Sequence, residues 1–223
     1  MRICLLFFFL FINAVGQEKL IGDFTHLTIK DGLHVTLIKS DKNAIVITGH
    51  DKEDVKYINK NGRLKIRMKA LKSLQGFNTN IELFYNKEVD FIDVNQGAYL
   101  SIIDTIQQSE LQLLSRKGAE IEAVLYAKDV IYKASTGGNI TARGEVENQK
   151  IKIKMGGTVD IQRVLSKTSK ATIIMGGVCE VQATSLFELS TILGGYARVY
   201  GKPITSLHKR TIGGTIKFLN QID

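Results

Sequence analysis

The chain has 223 residues and a formal charge of +8, a length that suits a single all-β domain with a sizeable core. Its cysteines are Cys4 and Cys179, and the first falls in an apparent leader, so the mature chain has no internal disulfide and must be held by packing. The positive balance favours anionic surfaces or glycans as partners, and an exported location argues against nucleic acid.

Residues MRICLLFFFLFINAVGQ open on Arg2, run apolar from Ile3 to Ile12 and end in the small residues Ala14 and Gly16. This is the pattern of a signal peptide cut after Gly16. Ten apolar residues are too few to cross a bilayer, so no transmembrane anchor is expected. Cys4 lacks the small-residue motif that precedes a lipid-modified cysteine, which argues against a lipoprotein. Removing residues 1–16 leaves 223 − 16 = 207 residues, read as one domain spanning 17–223, with an extracytoplasmic address: periplasm, cell surface or medium.

Residues 20–93 contain the strand-like stretches HLTIKDGLHVTLIK, NAIVITG, NGRLKIRMK, IELFY and VDFIDV, parted by turn signals such as Lys30-Asp31-Gly32 and Asn61-Gly62. They share no fixed period. Less regular coils, or a β-cap over the first core layer, are expected there.

From residue 94 onward the chain repeats itself. The phrases VNQGAYLSI, SRKGAEIEA, ASTGGNITA, KMGGTVDI, IIMGGVCEV, TILGGYARV and RTIGGTIKF place the first glycine of each unit at 97, 118, 137, 156, 176, 194 and 213. The steps are 21, 19, 19, 20, 18 and 19, a period that suits a solenoid with slightly unequal loops. After the glycines one column reads Leu100, Ile121, Ile140, Val159, Cys179, Ala197 and Ile216, and the column two residues on reads Ile102, Ala123, Ala142, Ile161, Val181, Val199 and Phe218. The column between them, Ser101, Glu122, Thr141, Asp160, Glu180, Arg198 and Lys217, is polar. Such alternation marks a strand with one face inward and one wet. Three and five residues before each first glycine a second apolar pattern (Val94, Ala134, Ile153, Ile173; Ile92, Leu113, Tyr132, Ile151) marks a second strand per coil. Two strands at fixed phase, stacked on their counterparts, build an all-β parallel β-helix of about 19 residues per coil. The glycines then sit where the backbone turns between strands and positive φ is needed. A nucleotide-binding loop is excluded because a strand, and not a helix, follows each pair.

A signal peptide, the N-terminal phrase FTHLTIKDGLHVTLI and the stacked Gly-Gly or Gly-Ala coils together resemble the family described as putative auto-transporter adhesin, head GIN domain, formerly a domain of unknown function and abundant in Bacteroidetes-type bacteria. The resemblance covers about residues 20–218. It implies a right-handed β-helix, an extracytoplasmic location and an adhesive role, and it brings no catalytic residues to carry over. No stretch after the last coil could form the membrane barrel of an autotransporter, so that mode of export is not expected.

Direct chemical signals are sparse. His26, His34, His50 and His208 are scattered, without metal-ligand spacing, and no metal or cofactor is expected. Cys179 occupies an inward column and reads as a packed small hydrophobe. Two basic stripes are candidate binding elements for an anionic glycan or cell-envelope component: Arg63, Lys65, Arg67 and Lys69, and Lys150, Lys152 and Lys154. An edge strand kept soluble by lysine is the competing explanation for both. The rival function is a carbohydrate-active enzyme, a polysaccharide lyase or glycosidase, with Asp160 and Glu180 on adjacent coils about 5 Å apart as paired carboxylates. A solvated Glu180 paired with Arg198 is the plainer reading. The absence of tryptophan counts against an aromatic sugar platform, leaving Tyr99 and Tyr196 as widely separated outward aromatics. The sequence leaves the oligomeric state open, a homo-oligomer included.

Overall fold

The computed structural model describes residues 17–73 and 75–219, and the expected leader, residues 1–16, lies outside the described residues. Among the described residues seventeen strands follow in chain order. The first eight are β1 (Lys19–Leu20), β2 (His26–Ile29), β3 (His34–Lys39), β4 (Ala44–Gly49), β5 (Val55–Lys60), β6 (Arg63–Met68), β7 (Thr79–Tyr85) and β8 (Phe91–Asn95). Four long strands come next: β9 (Tyr99–Arg116), β10 (Glu120–Ser135), β11 (Asn139–Lys154) and β12 (Thr158–Ile174). The series closes with β13 (Val178–Gln182), β14 (Leu186–Ile192), β15 (Tyr196–Tyr200), β16 (Thr205–Arg210) and β17 (Thr215–Leu219). No helix among the described residues is long and apolar enough to cross a membrane.

The strands stack in parallel as a β-solenoid. One sheet runs β5-β6-β2-β8 and continues through the second halves of β9 to β12 into β14 and β16. The other runs β1-β4-β7-β3 and continues through the first halves of β9 to β12 into β13, β15 and β17. The apolar columns are in register as the repeat demands: Leu100, Ile121, Ile140, Val159, Cys179 and Ala197 sit side by side at 0–1% exposure. Burial decays at the last coil, where β16 is exposed throughout and Phe218 is 47% exposed.

Both expectations for residues 20–93 hold. β2 and β3 form a coil around Asp31-Gly32, the same turn as in the repeat, with Gly32 N–H donating to the Gln96 carbonyl at 3.0 Å. Its place in the stack is out of chain order, because the β2–β3 coil lies between the β6–β7 coil and the β8–β9 coil. Beyond β6 and β7, β5 pairs antiparallel with β6 and β4 antiparallel with β7, ending the parallel stack, and Ile47, Val55 and Tyr57 from these two strands pack against the core.

The expectation of two separate strands in every coil is corrected for β9 to β12, which are single strands of 16–18 residues bent across the second corner. Bulges absorb the uneven repeat length there: the pairing shifts between Glu122 and Val124 against β9, and between Thr141 and Arg143 against β12. A bulge adds a residue without a loop and sharpens the bend, so the backbone need not leave the sheet.

The glycine corner is turned differently. In the turn Lys154-Met155-Gly156-Gly157 both central residues are left-handed (Met155 φ 49°, Gly156 φ 74°) and Gly157 N–H donates to the Lys154 carbonyl at 3.3 Å, the φ signature of a mirror-image type I′ turn. The first glycine is there for positive φ. The second supplies space, since a Cβ on Gly138 would lie 2.2 Å from the Ser115 carbonyl oxygen of the neighbouring coil, and in the last three turns it takes positive φ as well, at Gly177, Gly195 and Gly214.

Candidate binding surface

Because side chains alternate along each strand, every residue between two core columns points outward, and the stacking turns those residues into rows across the sheets. On the first sheet one row runs Arg63, His26, Phe91, Gln112, Ile131, Lys150 and Lys170, and the next runs Lys65, Thr28, Asp93, Leu114, Lys133 and Lys152. The two basic stripes of the sequence, on β6 and β11, therefore share one face of one sheet. They stand five strand steps apart, about 24 Å at the sheet spacing.

Other cations join them that the linear pattern did not single out. On β5, Lys56 and Lys60 stand opposite Arg67 and Arg63, and Lys133 lies in register beside Lys152. Asp93 accepts from Arg116 Nε at 3.1 Å, and Glu188, next to Lys170 on β14, pairs with it at 3.1 Å, while the adjoining outward row of the same face carries Glu110 and Asp129, the latter accepting from the Asn148 side-chain amide at 3.1 Å. Among the described residues, Arg63, Lys65, Lys133, Lys150, Lys152 and Lys154 make no ion pair, and Arg67 donates only to the Met68 carbonyl at 3.1 Å. Lys69, fourth of the first stripe, is paired with Asp54 at 2.8 Å. Neighbouring like charges such as Lys133 and Lys152 repel, and neither lysine is in an ion pair among the described residues. An open groove of about 730 Å³ crosses this face beside His26, Phe91, Gln112 and Ile131, with Glu110 and Asp129 in its lining, and His26 stacks on Phe91 with centroids 5.4 Å apart.

The second sheet has the opposite character. Its outward row Glu82, Thr36, Ser101, Glu122, Thr141, Asp160, Glu180 and Arg198 is half acidic, and it holds the carboxylate pair weighed for glycan cleavage. Asp160 and Glu180 are in-register neighbours on β12 and β13. Glu180 is engaged on both oxygens, by the Arg198 guanidinium on one and by the Tyr200 hydroxyl at 3.1 Å on the other. Burial, and then Glu180, push the Tyr200 hydroxyl above the usual tyrosine range. Asp160 accepts from the Gln162 backbone and side chain at 3.4 Å each. The outward aromatics stay apart: Tyr196 lies under the Arg198 guanidinium at 5.0 Å, and Tyr99 meets His34 edge-on at 5.9 Å.

The histidines are not brought together. His26 and His34 are part of aromatic contacts, His50 and His208 lie exposed in different places, and no metal-holding cluster of His, Cys, Asp or Glu occurs among the described residues. Cys179 is fully buried, and desolvation, with Glu180 and Asp160 adding to it, pushes its thiol up to about 12. Two features escaped the sequence reading because bulges and corners decide them. Arg143 and Arg163, in register beyond the bulge, line a shallow groove of about 420 Å³ with Ser101, Glu122 and Thr141. Inside the second corner, buried Gln149 donates to Ser166 at 2.9 Å and Ser169 at 2.8 Å, a polar seam in an otherwise apolar column.

These features define a parallel β-solenoid with one basic and one acidic sheet face. Residues 23–203 match the family described as "Putative auto-transporter adhesin, head GIN domain", and the chain belongs to it. Solved structures share the fold. A "putative adhesin" from Bacteroides fragilis NCTC 9343 is similar with a TM-score of 0.82 at 16% identity, over 91% of this chain and 95% of that one. A "putative adhesin" from Parabacteroides merdae ATCC 43184 gives 0.72 at 14% identity, over 92% and 95%. A "putative lipid binding protein" from Parabacteroides distasonis ATCC 8503 gives 0.66 at 14%, over 92% and 96%. No curated protein matches the sequence.

Proposed function

We propose that the protein is an exported, non-catalytic scaffold of the cell envelope, adhesin-like in role, whose basic sheet face binds a polyanionic glycan or envelope component. One observation carries this reading: two basic stripes far apart in sequence lie on a single sheet face, where Arg63, Lys65, Lys150 and Lys152 make no ion pair among the described residues and outnumber the outward acids Asp93, Glu110 and Asp129. Such a face attracts extended polyanions, and the attraction weakens with salt. The family and the adhesins of similar fold support the adhesive role.

Against catalysis stand the engagement of Glu180 by Arg198 and Tyr200, the burial of Cys179 and the dispersal of the histidines. Export rests on the leader, with Gln17 as the first residue of a single mature domain. A glycan array run beside a reducing-sugar release assay tests the reading. Binding to acidic glycans without release supports it. Release that disappears in Asp160→Asn or Glu180→Gln would move the protein to the glycosidases and lyases.

A further inference from the structure

The residue before the first glycine is held in the left-handed region in the first six turns of the repeat: Gln96 at φ 56°, Lys117 at 55°, Thr136 at 54°, Met155 at 49°, Met175 at 59° and Leu193 at 58°. That conformation disfavours bulky L-residues and suits asparagine or glycine, which lead this position in type I′ turns. The first coils put polar residues there. The later coils put Met155, Met175 and Leu193, followed by Ile212 on the last turn, with exposures of 49%, 53%, 52% and 61%. Met155, Met175 and Leu193 are strained and gain no burial in return, at three consecutive coils, and Ile212 extends the exposed apolar series without that strain. Strain that no internal packing repays is a marker of a surface put to use.

The geometry narrows the use. The turns stack through backbone hydrogen bonds, such as Met155 N–H to the Ile174 carbonyl at 3.0 Å and Met175 N–H to the Ile192 carbonyl at 2.9 Å, so the four side chains form one convex ridge about 14 Å long. Half-buried Ile174 and Ile192 widen its base on the basic-face side. On that side too lie Lys152 and Lys154, which have no acidic partner among the described residues, while Asp160 and Glu180 lie beyond the turn on the other side. An apolar convex edge bordered by lysines fits a soft anionic surface better than a protein pocket: the apolar groups enter the acyl boundary and the ammonium groups stay at the headgroups.

We propose that this ridge seats the C-terminal coils on an anionic lipid surface, tilted toward the basic face. The proposal rests on the polyanion reading only in sharing Lys152 and Lys154.

The test is flotation of the mature chain with vesicles of phosphatidylcholine alone or mixed with phosphatidylglycerol. The wild type should float with the anionic vesicles only. Met155→Asn/Met175→Asn/Leu193→Asn should lose at least about tenfold in binding, with a thermal midpoint no lower than wild type, because asparagine relieves the left-handed backbone. Met155→Leu/Met175→Leu should bind as wild type. Retention on a heparin column should be unchanged in the asparagine variant, so that a failed ridge and a failed basic face give different results. A wild type that ignores anionic vesicles, or an asparagine variant that binds them undiminished, overturns the proposal. So does an asparagine variant whose only loss is self-association in ultracentrifugation, which would assign the ridge to a second copy of the chain.

Discussion

Adding one methyl group at either glycine of the third repeat separates the two reasons for the pair. Gly137 has φ +72° and nothing within 4 Å of a built Cβ, so Gly137→Ala meets only the left-handed penalty, about 1–2 kcal/mol. Gly138 has an ordinary φ, but its Cβ would stand 2.2 Å from the Ser115 carbonyl oxygen and 2.8 Å from the Arg116 nitrogen. Reaching ordinary contact at about 3.4 Å needs the coils to part by roughly 1 Å where strands sit about 4.8 Å apart. The backbone there cannot yield freely, because Ser115 Oγ donates to the Ala119 carbonyl at 2.6 Å and accepts from the Asn139 backbone N–H at 3.1 Å. Overpacking against fixed backbone puts Gly138→Ala at about 3 kcal/mol or more. Matched urea unfolding curves read the difference. Equal losses, or a larger loss at Gly137, would refute the assignment of space to the second glycine and conformation to the first.

Two further outcomes follow from the register and the core. Val159 is 0% exposed between Ile140 and Cys179, so Val159→Asp should abolish soluble folded protein, at several kcal/mol, while half-exposed Thr158→Asp stays within about 1 kcal/mol of wild type; urea curves in the reverse order would mean a one-residue slip. Cys179 should resist a thiol reagent at pH 8 in the native protein and react at once in urea. Its thiol titrates near 9 when unfolded and near 12 when folded, so stability should be unaffected by this group below pH 9 and fall as pH rises from 9 toward 12. Fast labelling of the native protein would place Cys179 outside the core.

The ladder from Tyr99 to Val199 was legible in the sequence because each coil repeats the same inward and outward choices, and like residues then meet across the stack. The place of β2–β3 was not, since pairing with β6 on one side and β8 on the other follows from long-range docking that no local pattern records. The basic stripes were visible as strings of alternating cations, but their union on one face depends on that same docking, which inserts His26 and Phe91 between Arg63 and the later coils. Met155 and Met175 fall between the apolar columns and the first glycine, and only the backbone dihedrals show them left-handed and exposed at a corner. Gln149 escaped for a related reason: its column begins at the second corner, where bulges shift the phase counted from the glycines.

Charge reversal on the basic face, measured as affinity for heparin at fixed salt, tests the central claim most directly. Arg63→Glu/Lys65→Glu and Lys150→Glu/Lys152→Glu each change the net charge by −4, and so does the control Lys128→Glu/Lys217→Glu, whose lysines are exposed away from that face. Both face variants should weaken binding by about tenfold or more and flatten its salt dependence, while the control changes it by less than about twofold. Equal losses in all three would mean that heparin senses only the net charge of the molecule, and the basic face would not be a binding site.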